Sequence, residues 1–149
     1  MCSSDLTPRL VAARGTRPVE AWERSPVYLT HECHHAITKA LHIAGMGRCP
    51  LRFVPIDAAF RMDPAALEQL VKEDRKQGLK PWILVASAGT VNSGAVDPLA
   101  ALAEVAHRED LWLHVDGAFG LFAAASPRFR QLTAGIERAD SVTMLAGPC

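Results

Sequence analysis

The chain has 149 residues, about half of them apolar, which is enough for one globular domain, or part of a larger one, and too few for two of ordinary size. Lys plus Arg and Asp plus Glu number 16 each, so the formal charge is zero and no cationic excess is available to hold nucleic acid. An acid stands at position 5 and the apolar run 10–13 is far shorter than a signal-peptide core or a membrane span, which points to the cytoplasm and away from a membrane. Cys2, Cys33, Cys49 and Cys149 show neither close pairing nor the density of a disulfide scaffold, and they read as reduced thiols.

Taken in chain order, residues 6–14 predict a short helix with Asp5 as its cap, Pro8 in its first turn and Gly15 as its stop. Residues 16–26 mix charge with proline and read as a connection, followed by a brief strand at 27–30. Ile37, Ala40, Leu41 and Ala44 recur at helical steps within 33–46, and 51–56 is the next apolar strand. Asp63-Pro64 opens a helix with Leu67, Leu70 and Val71 on its buried face and Gly78 at its end. Residues 82–86 are apolar without alternation, as suits a parallel strand covered on both faces. A glycine-rich loop at 89–95 follows. Asp97-Pro98 then repeats the cap-and-proline start for a helix bearing Leu99, Leu102, Val105 and Ala106. Residues 111–116 form a further buried strand, 127–134 a short helix and 141–145 a last strand. This alternation predicts an α/β fold with a mainly parallel sheet and flanking helices.

In such sheets ligands collect beyond the carboxyl ends of the strands, an edge reached here by the loop to His34, the loop 87–94 and the strand end 114–120. Asp116 closes an apolar strand, where a carboxylate needs a cationic or hydrogen-bonding partner; that partner is a ligand, an arginine or the backbone N–H groups it caps. Gly117 and Gly120 beside it serve either a close approach or a simple turn. His34 lies among His31, Cys33 and His35, yet no second ligand pair has zinc spacing, so no metal is expected and a helix-start histidine is the plain alternative. The 89–94 loop is neither a P-loop nor a dinucleotide fingerprint.

Three ordered segments carry more than any one of them: Ala88-Gly89-Thr90-Val91-Asn92-Ser93-Gly94-Ala95-Val96-Asp97-Pro98-Leu99, His114-Val115-Asp116-Gly117-Ala118-Phe119-Gly120, and Gly135-Ile136-Glu137-Arg138-Ala139-Asp140-Ser141. Together they resemble the group II pyridoxal-phosphate-dependent decarboxylases, the family of aromatic-amino-acid, histidine and glutamate decarboxylases, over about residues 27–142. The resemblance implies fold type I, the aspartate-aminotransferase-like fold, with residues 1–149 an incomplete cofactor-binding large domain and the carboxyl-terminal small domain absent. It also implies pyridoxal 5'-phosphate as cofactor, an L-amino acid as substrate and a homodimer when intact.

By the same resemblance, Asp116 pairs with the pyridine nitrogen and His34 stacks on the ring and helps position the substrate; these two are the catalytic candidates. Ala118 packs on the ring's other face and Thr90 lies near its phenolic oxygen, with Val91 where many members carry a second threonine. Two departures stand out. The lysine motif expected after Ala139-Asp140-Ser141 is missing from residues 142–149, and none of Lys39, Lys72, Lys76 or Lys80 takes its place. The phosphate-binding turn expected near residues 1–7 is replaced by a stretch in which only Ser3 and Ser4 offer hydroxyls in serine form. The expectation is therefore a fragment with little or no turnover, the alternatives being another fold type I enzyme (an aminotransferase, aldolase or desulfurase) or a non-catalytic remnant.

Overall fold

The computed structural model describes residues 11, 15, 18–122 and 126–144. Among the described residues five strands form one sheet in the order β2-β1-β3-β4-β5, with every neighbouring pair parallel. They are β1 (Val27–Leu29), β2 (Leu51–Phe53), β3 (Ile83–Ser87), β4 (Trp112–Asp116) and β5 (Ser141–Thr143). Flanking them among the described residues are α1 (Ala36–Ile43), α2 (Pro64–Lys76) and α3 (Leu99–Arg108).

The unalternating apolar run of β3 has a simple cause. Ile83 and Val85 join the core formed with Trp22 and with Ile37, Ala40 and Leu41 of α1. Leu84 and Ala86 join the core formed with Leu67 and Val71 of α2 and with Leu99, Leu102 and Ala106 of α3. Successive side chains of a strand point to opposite faces, so a strand covered on both sides is apolar throughout. The result is a three-layer α/β arrangement, and each fully buried aliphatic side chain in it contributes about 1.5–3 kcal/mol.

Helix α2 forms as its sequence predicts. Asp63 accepts from the N–H groups of Ala65 and Ala66 at 2.8 and 3.3 Å, Pro64 occupies the first turn, and Gly78 takes a φ of +77° beyond the last turn. Leu67 and Val71 are fully buried, and Leu70 is partly so. On the same helix, buried Asp74 accepts from the Tyr28 hydroxyl at 2.8 Å and from Nε and Nη2 of Arg52 at 3.0 and 2.6 Å, tying α2 to β1 and β2. Burial, reinforced by the neighbouring Asp74, pushes the Tyr28 phenol above its ordinary range.

Several sequence expectations change. Asp97 does not cap α3: Pro98 stands at the cap without a side-chain hydrogen bond, and the Asp97 carboxylate turns inward to accept from Met62 N–H and Ser87 N–H, each at 2.7 Å. The strand expected at 51–56 is cut to three residues at the edge of the described sheet, where Leu51 and Phe53 stay 36% and 43% exposed. The connection at 16–26 contains a 3₁₀ helix, Val19–Arg24, whose Trp22 enters the core. The helix read over 33–46 is Ala36–Ile43, and the one at 127–134 is a 3₁₀ turn, Arg130–Thr133. The helix expected at 6–14 lies outside the described residues apart from Val11, which is helical. No described helix is long and apolar enough to cross a membrane.

Candidate active site at the carboxyl edge of the sheet

Because the strands are parallel, the segments that follow β1, β3 and β4 all leave from one edge, and that shared edge gathers His34, Thr90, Asp116 and Ala118. Asp116 is the last residue of β4, paired in register with Ser87 of β3 and Thr143 of β5. Its main chain is held from both sides, by Ala88 N–H donating to the Asp116 carbonyl at 2.8 Å and by Gly117 N–H donating to the Thr143 carbonyl at 2.9 Å. The side chain is 6% exposed, and Ala118 N–H donates to Oδ1 at 3.2 Å. Among the described residues no lysine or arginine forms an ion pair with it. Among the described residues the arginine alternative is not realised, while the backbone cap is realised at one oxygen.

Burial pushes the Asp116 carboxyl above its ordinary pKa, against the pull of Ala118 N–H and of His34. His34 is shifted in turn: burial first, and then His35, lower its pKa, while the carboxylate of Asp116 raises it. The two groups therefore share one electrostatic environment. His34 Nδ1 accepts from Ala36 N–H at 3.1 Å, so the residue is a helix-start histidine as well, and in the neutral ring the proton sits on Nε2. His35 lies against it with ring centroids 4.1 Å apart and a 38° tilt. His34 and His35 line an open cavity of about 330 Å³ with His31, Glu32, Cys33, Val91 and Asn92. His31 stacks on Phe53 at 4.0 Å, and among the described residues no three His, Cys, Asp or Glu side chains converge as metal ligands.

Thr90 is buried, with Oγ1 2.6 Å from Ser93 Oγ and accepting from Ala95 N–H at 3.2 Å, so its hydroxyl holds the loop together. Ala118 is buried beside Asp116. The glycines act on one another's backbones: a Cβ on Gly89 would stand 2.9 Å from Gly120 Cα, and one on Gly120 would collide with the Ala88 carbonyl oxygen. Both readings of Gly120 are realised, since it lies in a turn and also approaches another backbone closely. Sequence reasoning missed His114, which lies wholly buried on the same face of β4 as Asp116 between the hydroxyls of Ser141 and Thr143. Its place two residues before Asp116 in an apolar strand was the available signal.

A buried carboxylate with one N–H on one oxygen and, among the described residues, no lysine or arginine paired with it, electrostatically coupled to a partly buried imidazole that lines an open cavity, fits a planar ring that carries a protonated nitrogen. The sheet and its flanking helices are those of the fold type I pyridoxal-phosphate enzymes. Residues 5–146 match the conserved domain of the pyridoxal-dependent decarboxylases, and the chain belongs to that family.

Its relatives include the aromatic-L-amino-acid decarboxylase of Bacillus atrophaeus, 37% identical over 135 residues, a match covering 91% of this chain and 28% of that protein. The acidic amino acid decarboxylase GADL1 of Bos taurus is 40% identical over 116 residues, covering 78% and 22%. Among solved structures, mouse CSAD superposes with a TM-score of 0.86 at 35% identity, covering 95% of this chain and 32% of that one. Oryza sativa TDC with PLP and tryptamine gives a TM-score of 0.86 at 36% identity, again covering 95% and 32%. The chain therefore spans between about a fifth and a third of the length of these relatives.

Proposed function

We propose that this chain forms part of the cofactor-binding large domain of a pyridoxal-phosphate-dependent L-amino-acid decarboxylase. The observation that carries the reading is Asp116, a buried carboxylate lacking a cationic side-chain partner among the described residues and placed where three loops converge. Pyridoxal 5'-phosphate, when bound, supplies the electron sink for the pair left behind as the substrate's α-carboxylate departs as carbon dioxide. Asp116 then keeps a proton on the ring nitrogen, and low local polarity strengthens that pairing. His34, fixed at Nδ1 by Ala36 N–H, would hold the cofactor ring from one side and help position the amino acid, and Ala118 would hold it from the other. Thr90 shapes the loop near the phenolic oxygen.

The reading includes a second copy of the chain completing the site in the longer protein, and a cytoplasmic location, in keeping with four cysteines that lack the density of a disulfide scaffold. Lys39, Lys72, Lys76 and Lys80 are all exposed, on α1, on α2 and just beyond α2, and none pairs with Asp116. That placement favours non-covalent retention of the cofactor, with no turnover by this chain alone.

The test is an absorbance and fluorescence titration of the chain with pyridoxal phosphate across pH, beside Asp116→Ala. Burial raises the Asp116 pKa, so a protonated ring nitrogen must displace a proton from the carboxyl group when pH is below that pKa. Affinity is expected to rise with pH through this titration in the wild type and to lose that dependence in the variant, with binding weakened about tenfold or more. Equal binding by the two proteins at every pH refutes the reading.

A further inference from the structure

His114 belongs to no step described so far, yet its ring is wholly buried and both of its nitrogens meet hydroxyls. Nδ1 lies 2.9 Å from Ser141 Oγ, and Nε2 lies 3.3 Å from Thr143 Oγ1. Ser141 Oγ also accepts from the indole N–H of Trp112 at 2.9 Å. An indole can only donate, so Ser141 Oγ accepts from Trp112, and a side-chain chain links Trp112 through Ser141 and the two His114 nitrogens to Thr143, in whichever direction the imidazole tautomer sets.

Thr143 is also where β5 touches the catalytic strand end. Its carbonyl accepts Gly117 N–H at 2.9 Å, and that peptide lies between Asp116 and Ala118, whose own N–H holds the Asp116 carboxylate. β5 has only three residues and in this sheet is paired on one side alone, so few ladder bonds fix its end and a side-chain staple carries a large share of the restraint.

We infer that His114 is a positioning residue: acting through Thr143, it fixes the peptide after Asp116 and so aims the carboxylate at the cofactor. The inference rests on the assignment of Asp116 to the ring nitrogen.

Two amide substitutions separate this role from general stability. Glutamine carries its amide nitrogen about where imidazole has Nε2 and keeps the bond to Thr143; asparagine carries its own about where imidazole has Nδ1 and keeps only the bond to Ser141. Exchange of the Gly117 amide hydrogen, followed by NMR on the cofactor-free chain, is expected to speed up roughly tenfold in His114→Asn and in the near-isosteric Thr143→Val. It should stay close to wild type in His114→Gln and in Ser141→Ala. Pyridoxal-phosphate affinity should fall in the same order, by about tenfold for the first two.

Equal exchange at Gly117 in the asparagine and glutamine variants, or no change in Thr143→Val, overturns the inference whether or not cofactor binds. Cofactor binding that is weakened by Asp116→Ala but unaffected by His114→Asn and Thr143→Val overturns it as well. Wild-type binding that Asp116→Ala leaves intact instead removes the assignment of Asp116, while the exchange data still decide the relay.

Discussion

Asparagine in place of Asp97 keeps the shape of the side chain and removes one of its two acceptors. Asp97 is 3% exposed, and each carboxylate oxygen accepts one backbone N–H at 2.7 Å, Met62 on Oδ1 and Ser87 on Oδ2. Burial raises this carboxyl group's pKa against the pull of the two N–H groups, while the geometry, one N–H on each oxygen, is that of an anion held by two donors. An amide offers one oxygen and places its NH₂ against the other backbone donor. The loss comprises a charge-assisted bond of about 1.5–3 kcal/mol, and the remaining bond weakens as it becomes neutral. Relief of the cost of burying a charge returns part of this, leaving about 2–3 kcal/mol of destabilisation. With a urea slope of about 2 kcal/mol per molar, the midpoint should fall by about 1 M or somewhat more, followed by far-ultraviolet circular dichroism. Asp63→Asn is the control, because at a helix N-cap asparagine replaces aspartate with little change. Equal midpoints for the two variants would refute the assignment of different roles to the two Asp-Pro pairs.

Gly120→Ala should disrupt the site without touching a side chain in it. The new methyl group would meet the carbonyl of Ala88, with the Ala88 carbon at 2.9 Å and Gly89 Cα at 3.0 Å, so the segments leading to Thr90 and following Asp116 must separate. A cost of about 1–3 kcal/mol in urea unfolding is expected, with weaker pyridoxal-phosphate binding, and a fully wild-type titration would count against the close approach. Tyr28→Phe removes one bond to a carboxylate that keeps Arg52 on both oxygens, and should cost about 1.5 kcal/mol. Asp74→Ala strands the tyrosine hydroxyl and the partly buried guanidinium and should cost more, about 2–4 kcal/mol because Arg52 can turn toward water; a smaller loss than in Tyr28→Phe would contradict the network.

Much of the fold was legible because its signals are local. Asp63, Pro64 and Gly78 bracket α2, and the periodicity of Leu99, Leu102, Val105 and Ala106 marks α3. The family was legible from three ordered motifs, the longest of which ends at the same Asp97-Pro98-Leu99 that misled the reading of the cap. Asp97 looked like a second Asp63 because capping is inferred from neighbours in sequence, whereas its partners Met62 and Ser87 come from other segments. The roles of Asp74 and His114 escaped notice for the same reason: Asp74 has no local motif, His114 stands in one that says nothing of its partners, and each takes its role from residues about 20 to 50 positions away.

Local pattern was enough for the central strands, for α2 and α3, for the parallel α/β class, for the family and for the four residues, His34, Thr90, Asp116 and Ala118, that reach the carboxyl edge. Only the tertiary structure decided how Asp116 is held, that no arginine or lysine among the described residues pairs with it, and that His114 and Thr143 stand behind it. Periodicity and caps depend on residues a few positions apart, but the partners of a buried polar group are chosen by strand order and register, which bring together parts of the chain that no local pattern connects.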